Sequence, residues 1–476
     1  MASFFTIGET KTRPGMYYRY ENWGTPPAAG ADDGKCACTL RSDWGPLDSA
    51  VLLESYDVIG DYFGSGGAEG SVEVPLEQFY GGAKSVRAVR VGTGGTKGYY
   101  KVMDEGGTEV LSLLLKYVGS RPLTVTLRPT VDGELEGDTS GYELLILEGT
   151  TQLERITFDN HSGEKEAWDL TGKASNYVDF LTIAVTDSKL ATFDQGLFVG
   201  GTDPEVTVDA YANAFGILEN YRWNVLALDT DDLSVQMMSQ AFVNRIYEDG
   251  MFAMAVVGEA TTTAFETRLA RASAFNDYQM VYVGSGFVDM SGKVYQGVLA
   301  AARISGLIAG TSSSKSVTHL SLTGAVDLVE YLSNAQQEEA IAAGMLTFSL
   351  SSSNVVWVES GVNTLVNLGD DQDGGWQKVK RTKVRFELFQ RLADTVEGLV
   401  GRVNNNSDGR ATIIQACNNI CNTMVAEGKL HTGAFVSIDP DNSPAGDSAW
   451  FVVYADDVDA LEKLYYNFKF RFAVED

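Results

Sequence analysis

Between residues 205 and 360 the hydrophobic pattern switches repeatedly between helical spacing and short continuous apolar runs, and this constrains the fold more than any other feature. Val208, Tyr211, Phe215 and Leu218 fall on one face of a helix, and the run 223–228 that follows reads as a buried strand. Leu233, Met237, Ala241 and Ile246 mark a second helix and 252–257 a second strand, and a helix near 262–275 with a strand at 280–283 repeats the unit. Apolar strands joined by amphipathic helices imply an α/β layer with a partly parallel sheet, because a parallel connection needs a crossover that covers the sheet face. Residues 355–358 and 363–366 read as a hairpin around Gly361.

A chain of 476 residues exceeds a single core and predicts two to four domains. Residues 31–92 read as compact α+β, with a short strand at 88–91, and with 200–372 they make up the α/β core. Between the Gly-rich breaks at 92–97 and 200–203, residues 93–199 carry short β runs at 123–127, 142–147 and 153–158. Asp132-Gly133 and Glu148-Gly149 supply turn chemistry, so this stretch reads as an inserted small β-barrel or sandwich. Residues 373–462 form a C-terminal α+β domain. One helix carries Phe389, Leu392, Val396 and Leu399, the turn 404–409 follows, and a second helix carries Ile413, Cys417, Ile420 and Met424 before a strand at 449–454. The fold class is therefore α+β multidomain, with extended β arms at 1–30 and 463–476.

The two arms carry the strongest functional signal. In 463–472, Tyr466, Phe468, Phe470 and Phe472 point one way while Tyr465, Asn467, Lys469 and Arg471 point the other, an amphipathic strand by period-2 alternation. Such a strand either closes its own domain or pairs with another chain through a free edge. At the other end, 11–22 begins with a Pro-Gly turn and continues extended and aromatic through Tyr17, Tyr18 and Tyr20. It either folds back on its own domain or finds its partner elsewhere.

A formal charge of −28 excludes a nucleic-acid binder and a protein docked on an anionic membrane, both of which need basic surfaces. The opening residues lack a basic n-region and a long apolar stretch, and no run approaches a membrane span, so cytoplasmic synthesis is the default expectation. No phosphate-binding loop, dinucleotide fingerprint, nucleophile elbow or metalloprotease motif is present. His161, His319 and His431 are dispersed, and the register of 369–380 that would place Gly374 correctly in a calcium loop puts Gly369 and Lys380 where carboxylates belong. Cys36 and Cys38, and Cys417 and Cys421, form neither a zinc spacing nor a disulfide scaffold, and Cys417 and Cys421, one helical turn apart, read as buried small residues. No enzyme, cofactor or metal is expected. One contrast stands out: Lys378, Lys380, Arg381, Lys383 and Arg385 form a basic run in a very acidic chain. It is either a solvated strand face near a domain junction or a contact with an acidic partner.

Several motifs together resemble the contractile tail sheath proteins of myophages, defective prophages and R-type bacteriocins. Arg13-Pro-Gly-Met-Tyr-Tyr18 is similar to the family's opening, Asp43-Trp-Gly-Pro46 to the motif that follows it, and 79–91 (FYGGAKSVRAVRV) to a Gly-Gly-Ala block. Lys116-Tyr-Val-Gly-Ser-Arg121 looks like the lead into the inserted β domain, with Pro122-Leu123 departing from the usual Gly-Asn. Lys380-Arg-Thr-Lys-Val384 and the closing strand fit the C-terminal part. The resemblance implies a structural subunit made in the bacterial cytoplasm and resident in a virion or bacteriocin tail. It implies stacked hexameric rings around a tail tube, arms that donate strands to neighbouring copies, an outward-facing β domain and a C-terminal domain near the tube. Contraction then drives the tube through a cell envelope. Implied partners are other copies of the chain, the tube protein, and baseplate and tail terminator proteins, with no nucleic acid and no membrane insertion. On this reading Tyr17, Tyr18, Tyr20, Tyr466, Phe468, Phe470 and Phe472 make inter-subunit contacts, and the Lys378–Arg385 run meets the tube or a neighbour. The alternatives are another tail or injection-system structural protein (tube, baseplate or cell-bound sheath) and a surface-binding or adhesin module.

Overall fold

The computed structural model describes residues 3–4, 17–18, 34–68, 70–130, 141–159, 170–182 and 190–471. At its centre is a seven-stranded sheet in the order Met345–Leu346, Met280–Val283, Met254–Gly258, Val225–Ala227, Lys35–Leu40, Ser85–Arg90, Ala50–Leu53. All neighbours run parallel except Ala50–Leu53, which is antiparallel to Ser85–Arg90. One sheet thus takes strands from both sides of the 93–199 stretch.

Successive residues in these strands alternate between two cores. Cys36, Cys38, Val86, Ala88, Val225 and Met254 face one cluster, which includes Ala301, Ile304 and Ile308 of the helix Val298–Gly310. Ala37, Val89, Leu226, Ala255 and Val257 face the other, which takes side chains from the helices Val208–Leu218, Leu233–Glu248 and Phe265–Phe275. Covering both faces is what a parallel sheet requires, and it explains why its strands are continuously apolar. On the first face, Val298–Gly310 lies against the helix Glu73–Gly81 at backbone distance. A Cβ on Gly306 would stand 2.0 Å from the Gln78 carbonyl oxygen, and one on Gly310 2.3 Å from that of Gly82.

Residues 97–197 contribute two antiparallel sheets. One orders Thr151–Asp159, Gly141–Glu148, Leu123–Pro129 and Phe193–Leu197, and the other Val178–Thr182, Glu109–Val118 and Lys97–Met103. Val102, Leu113, Val125, Leu144 and Phe158 from both sheets share one apolar cluster, which Trp44 joins from the main-sheet side. Trp44 packs edge-on to Tyr117 at 5.1 Å and stacks on Tyr177 at 5.8 Å. Arg90, at the end of a main-sheet strand, ties the junction together by donating to the carbonyls of Ser42 (2.9 Å), Gly45 (2.8 Å) and Val118 (2.8 Å).

The C-terminal unit packs the helices Val379–Glu397 and Ser407–Ala426 over the hairpin Phe435–Ile438/Phe451–Tyr454, around Val384, Leu388, Cys417, Ile420, Cys421 and Met424. Two expectations are corrected here. The basic run lies on a helix, not on a solvated strand face. Val384, Phe386 and Leu388 alternate in sequence because the helix is buried on two sides, with Val379 and Phe386 in the main core and Val384 and Leu388 in the C-terminal one. The hairpin near 360 pairs Val356–Val358 with Phe348–Leu350, not with 363–366. The later stretch is drawn away instead, with the Thr364 amide donating to the Met280 carbonyl at 2.9 Å. Among the described residues no helix is long and apolar enough to cross a membrane.

Candidate assembly interface

Past Tyr454 the chain follows residues 429–431, where the His431 amide donates to the Asp456 carbonyl and the Val458 amide to the Lys429 carbonyl. It then crosses the basic end of the helix Val379–Glu397. Arg381 grips Asp457 through both carboxylate oxygens, at 2.7 and 2.6 Å, a fork geometry that arginine supplies and lysine does not. Arg385 adds a longer contact to Asp457 at 3.5 Å and lies over the Trp376 ring at 3.9 Å. Lys378 pairs with Asp459 at 2.7 Å and Glu462 at 3.0 Å, while Lys380, buried, donates to the Val458 carbonyl. Glu462 also accepts from Ser316 (2.8 Å) and Thr318 (2.9 Å). Lys383 caps the carbonyls of Ile308 and Thr311. All five cations of the run are therefore engaged within their own chain, four of them around the segment 457–462.

The electrostatics follow from partial burial. Desolvation works against the Asp457 carboxylate, but the Arg381 hydrogen bonds and the charges of Arg385 and Arg381 outweigh it and hold its pKa below the ordinary value. Asp459 and Glu462 are lowered in the same way, burial opposing and Lys378 among the groups prevailing. Burial pushes Lys380 down.

Immediately beyond this anchor the chain changes character. Residues 463–471 are exposed and belong to no sheet among the described residues. Tyr466, Phe468 and Phe470 are 73%, 75% and 84% exposed and share one side of the extended chain, with successive ring centroids 6.1 and 6.4 Å apart. Three aligned aromatics in water form an exposed apolar strip of a kind that soluble proteins seldom leave uncovered. At the other terminus, Tyr17–Tyr18 pair in parallel with Ser3–Phe4, a local partner that the sequence pattern does not announce. Tyr20 and Phe472 lie outside the described residues, as does His161.

A strand edge without a partner among the described residues is also present. The Asp439 amide donates to the Trp450 carbonyl at 3.0 Å, which sets the phase of the C-terminal hairpin. By the alternation of antiparallel ladders, Ser437/Val452 and Phe435/Tyr454 are the hydrogen-bonded pairs, so the amides and carbonyls of Phe451 and Val453 point away from the partner strand. On the opposite edge one of the two outward amides, that of Val436, is taken by the Asn418 side chain at 2.7 Å. Among the described residues the edge of Phe451–Tyr454 pairs with no other strand, and the exposed rings of Trp450, Tyr454 and Phe435 lie at the hairpin.

Chemistry is sparse elsewhere. Among the described residues no group of three or more His, Cys, Asp or Glu side chains is placed to hold a metal ion. All four cysteines are buried free thiols whose pKa values burial raises.

Residues 205–364, the stretch that supplies three central strands and the helices on both faces of the sheet, match the model of the phage tail sheath protein central domain. The chain thus contains a stretch similar to a tail sheath central domain. Over nearly its whole length it is similar to the phage-like element PBSX protein XkdK of Bacillus subtilis strain 168, at 23% identity over 491 residues, covering 97% of this chain and 98% of that one. Its fold is that of a sheath tail protein from Desulfitobacterium hafniense, with TM-score 0.69 and 21% identity over 93% of this chain and 100% of that one. It also resembles the sheath of an extracellular contractile injection system, the PVC sheath complex in its contracted state, with TM-score 0.54 and 11% identity over 97% and 98% of the two chains. The tail sheath reading of the motifs and of the mixed α+β multidomain architecture stands on these likenesses. Sequence reasoning singled out the basic run but not its partners. The signal was present in Asp456-Asp457-Val-Asp459-Ala-Leu-Glu462, an acidic stretch directly before the arm.

Proposed function

We propose that the chain is the structural subunit of a contractile tail sheath, polymerising around a tail tube as stacked hexameric rings linked by exchange of terminal strands. One observation carries this reading: an extended, aromatic and exposed C-terminal segment leaves a firmly anchored root. Nine residues at about 3.3 Å each let that segment reach roughly 30 Å, far enough to cross to another copy. The open edge of Phe451–Tyr454 is the acceptor that best suits it, since strand addition supplies backbone hydrogen bonds and the flanking rings offer apolar cover. A head-to-tail contact of this kind does not close on two copies and propagates into a helical polymer. Tyr17 and Tyr18 form the corresponding N-terminal contact. In this reading 93–199 faces outward and 373–462 lies near the tube. The basic run serves first as the arm's anchor, and the tube, baseplate and terminator proteins are the remaining partners.

Contraction in this scheme draws on a metastable extended polymer relaxing to one with larger contacts, with the arms holding copies together while their bodies move. The role is structural rather than catalytic. Truncation after Glu462 tests the proposal. The shortened chain should fold, remain monomeric by light scattering and form no tubes in negative stain. Normal tubes from it would refute the arm reading.

A further inference from the structure

The arm and its acceptor carry opposite charge, in a chain whose overall charge is −28. From Lys463 to Arg471 the charged residues are Lys463, Lys469 and Arg471, and alternation places all three on the face opposite Tyr466, Phe468 and Phe470. None of the three makes an ion pair among the described residues. The two acids that close the sequence, Glu475 and Asp476, come after this alternating stretch. Around the hairpin the balance is reversed. Residues 430–456 contain Asp439, Asp441, Asp447 and Asp456 and no Lys or Arg. Asp441, Asp447 and Asp456 are exposed. Among the described residues none of these four carboxylates meets a cation. Asp439 is held by Asn442 and the Asp441 amide, and Asp447 by Ser448. The hydrogen-bond network brings Arg410 toward the loop, but through Asn405, whose amide binds the carbonyls of Gly446 and Ser448. The neighbouring acids Asp457, Asp459 and Glu462 are already neutralised by Arg381 and Lys378.

We propose that the acidic hairpin selects the C-terminal arm of a second copy by sign of charge as well as by strand pairing, so that the cationic face of the arm steers it to the open edge of Phe451–Tyr454. This rests on the sheath reading above and adds to it a recognition rule. Two chains each carrying excess negative charge repel at long range, and a locally basic arm is the part of each that its neighbour attracts. Strand pairing alone is indifferent to sequence, since every extended segment offers the same backbone groups. The charge pattern supplies the preference for this segment over other exposed strands. Screening then acts in opposite directions, relieving repulsion between bodies and weakening capture of the arm. The two are separated by reversing charge on one side only.

The experiment uses the full chain in four forms: unmodified, K469E/R471E, D441K/D447K, and all four substitutions together. Polymerisation is followed by light scattering and negative-stain microscopy, with circular dichroism as the check on folding. Each two-residue reversal should slow polymerisation by roughly 10-fold or more at low ionic strength, an effect of the size steering produces. The four-residue variant should recover most of that rate, and an equimolar mixture of the two reversed chains should polymerise faster than either alone. Unchanged rates in both reversed chains, or a four-residue variant no faster than the two-residue ones, overturns charge recognition. If one reversed chain misfolds, the other, with its mixture against unmodified chain, gives the same reading. Charge recognition can fail while truncation after Glu462 still abolishes tubes, and then strand exchange stands without it. Tubes from the truncated chain remove both.

Discussion

Replacing Asp457 with Asn tests the anchor of the arm with almost no change of shape. The Asp457 side chain is 8% exposed and those of Arg381 and Arg385 16% each; their other carboxylate, Asp373, is 64% exposed and only 3.3 and 3.9 Å from them. Asp457→Asn therefore removes a two-point charge-assisted contact and leaves two partly buried guanidinium groups with a weak, solvent-screened partner. Losing such a contact costs on the order of 2–4 kcal/mol locally, between the value of charged hydrogen bonds and that of breaking a fully buried pair. The assay is hydrogen exchange at the Val458 amide, which bonds the Lys429 carbonyl at 2.9 Å and opens when the segment lifts. A loss of about 2 kcal/mol speeds exchange through local opening by ~30-fold relative to the unmodified chain. The folded pKa values of Asp457, Asp459 and Glu462 are all depressed, so their contribution is fully present above the unfolded carboxylate range and is lost as pH falls through the lower folded values. The difference between variant and unmodified chain should hold at neutral pH and shrink below about pH 4. Equal exchange in the two proteins at neutral pH, or a difference that persists undiminished at about pH 2, refutes the latch.

Two further substitutions probe the body of the protein. Trp44→Ala empties a site at the junction of the main sheet and the 97–197 sheets where the ring is 1% exposed, and should cost about 3–5 kcal/mol, with calorimetry showing the second unit melting ahead of the first. A single, unshifted transition would contradict that placement. Gly306→Ala puts a methyl group 2.0 Å from the Gln78 carbonyl, so the two helices must separate; the expected result is a fall in soluble yield and in melting temperature, and a variant as stable as the parent would mean that the helices sit farther apart.

The parts of the fold legible in sequence are those whose period is set by one environment. Helical spacing announced Val208–Leu218 by the face it buries, through Tyr211, Phe215 and Leu218. It announced Leu233–Glu248 as a helix but by the wrong face: Leu233, Met237 and Ala241 are exposed, and of that stripe only Ile246 is buried, beside Val235, Ser239, Phe242 and Val243. The strands Met254–Gly258 and Met280–Val283 are buried on both faces, so continuity announced them. Of Val379–Glu397, helical spacing announced only the C-terminal half, through Phe389, Leu392 and Val396. Its N-terminal half escaped because it is buried on two sides and so reads as alternation, and its cations look solvated until the distant acids of 457–462 are brought to them. The same distance hid the function of the basic run, since a contact between Arg381 and Asp457 leaves no periodic trace. The side-to-side alternation of 463–471 was legible, whereas the unpaired edge of the hairpin was not. That the backbone groups of Phe451 and Val453 point outward, with no partner among the described residues, depends on the phase of one hairpin.

The order of these features along the chain bears on how a subunit could move without letting go. If the exposed strand continued directly from the hairpin, any pull on it would be transmitted to the Phe435–Ile438/Phe451–Tyr454 ladder, a two-stranded element that is weak on its own. Instead residues 457–462 intervene, fastened by four cations to the helix Val379–Glu397, whose other face belongs to the main core through Val379 and Phe386. On the proposed strand exchange, force arriving along the arm would be delivered to a helix packed against the seven-stranded sheet, leaving the hairpin available to receive a strand from elsewhere. The proposed donor and acceptor are near neighbours in sequence, yet the anchor between them would make them mechanically independent. A subunit joined to others through both needs that separation if its body is to rotate while both connections persist.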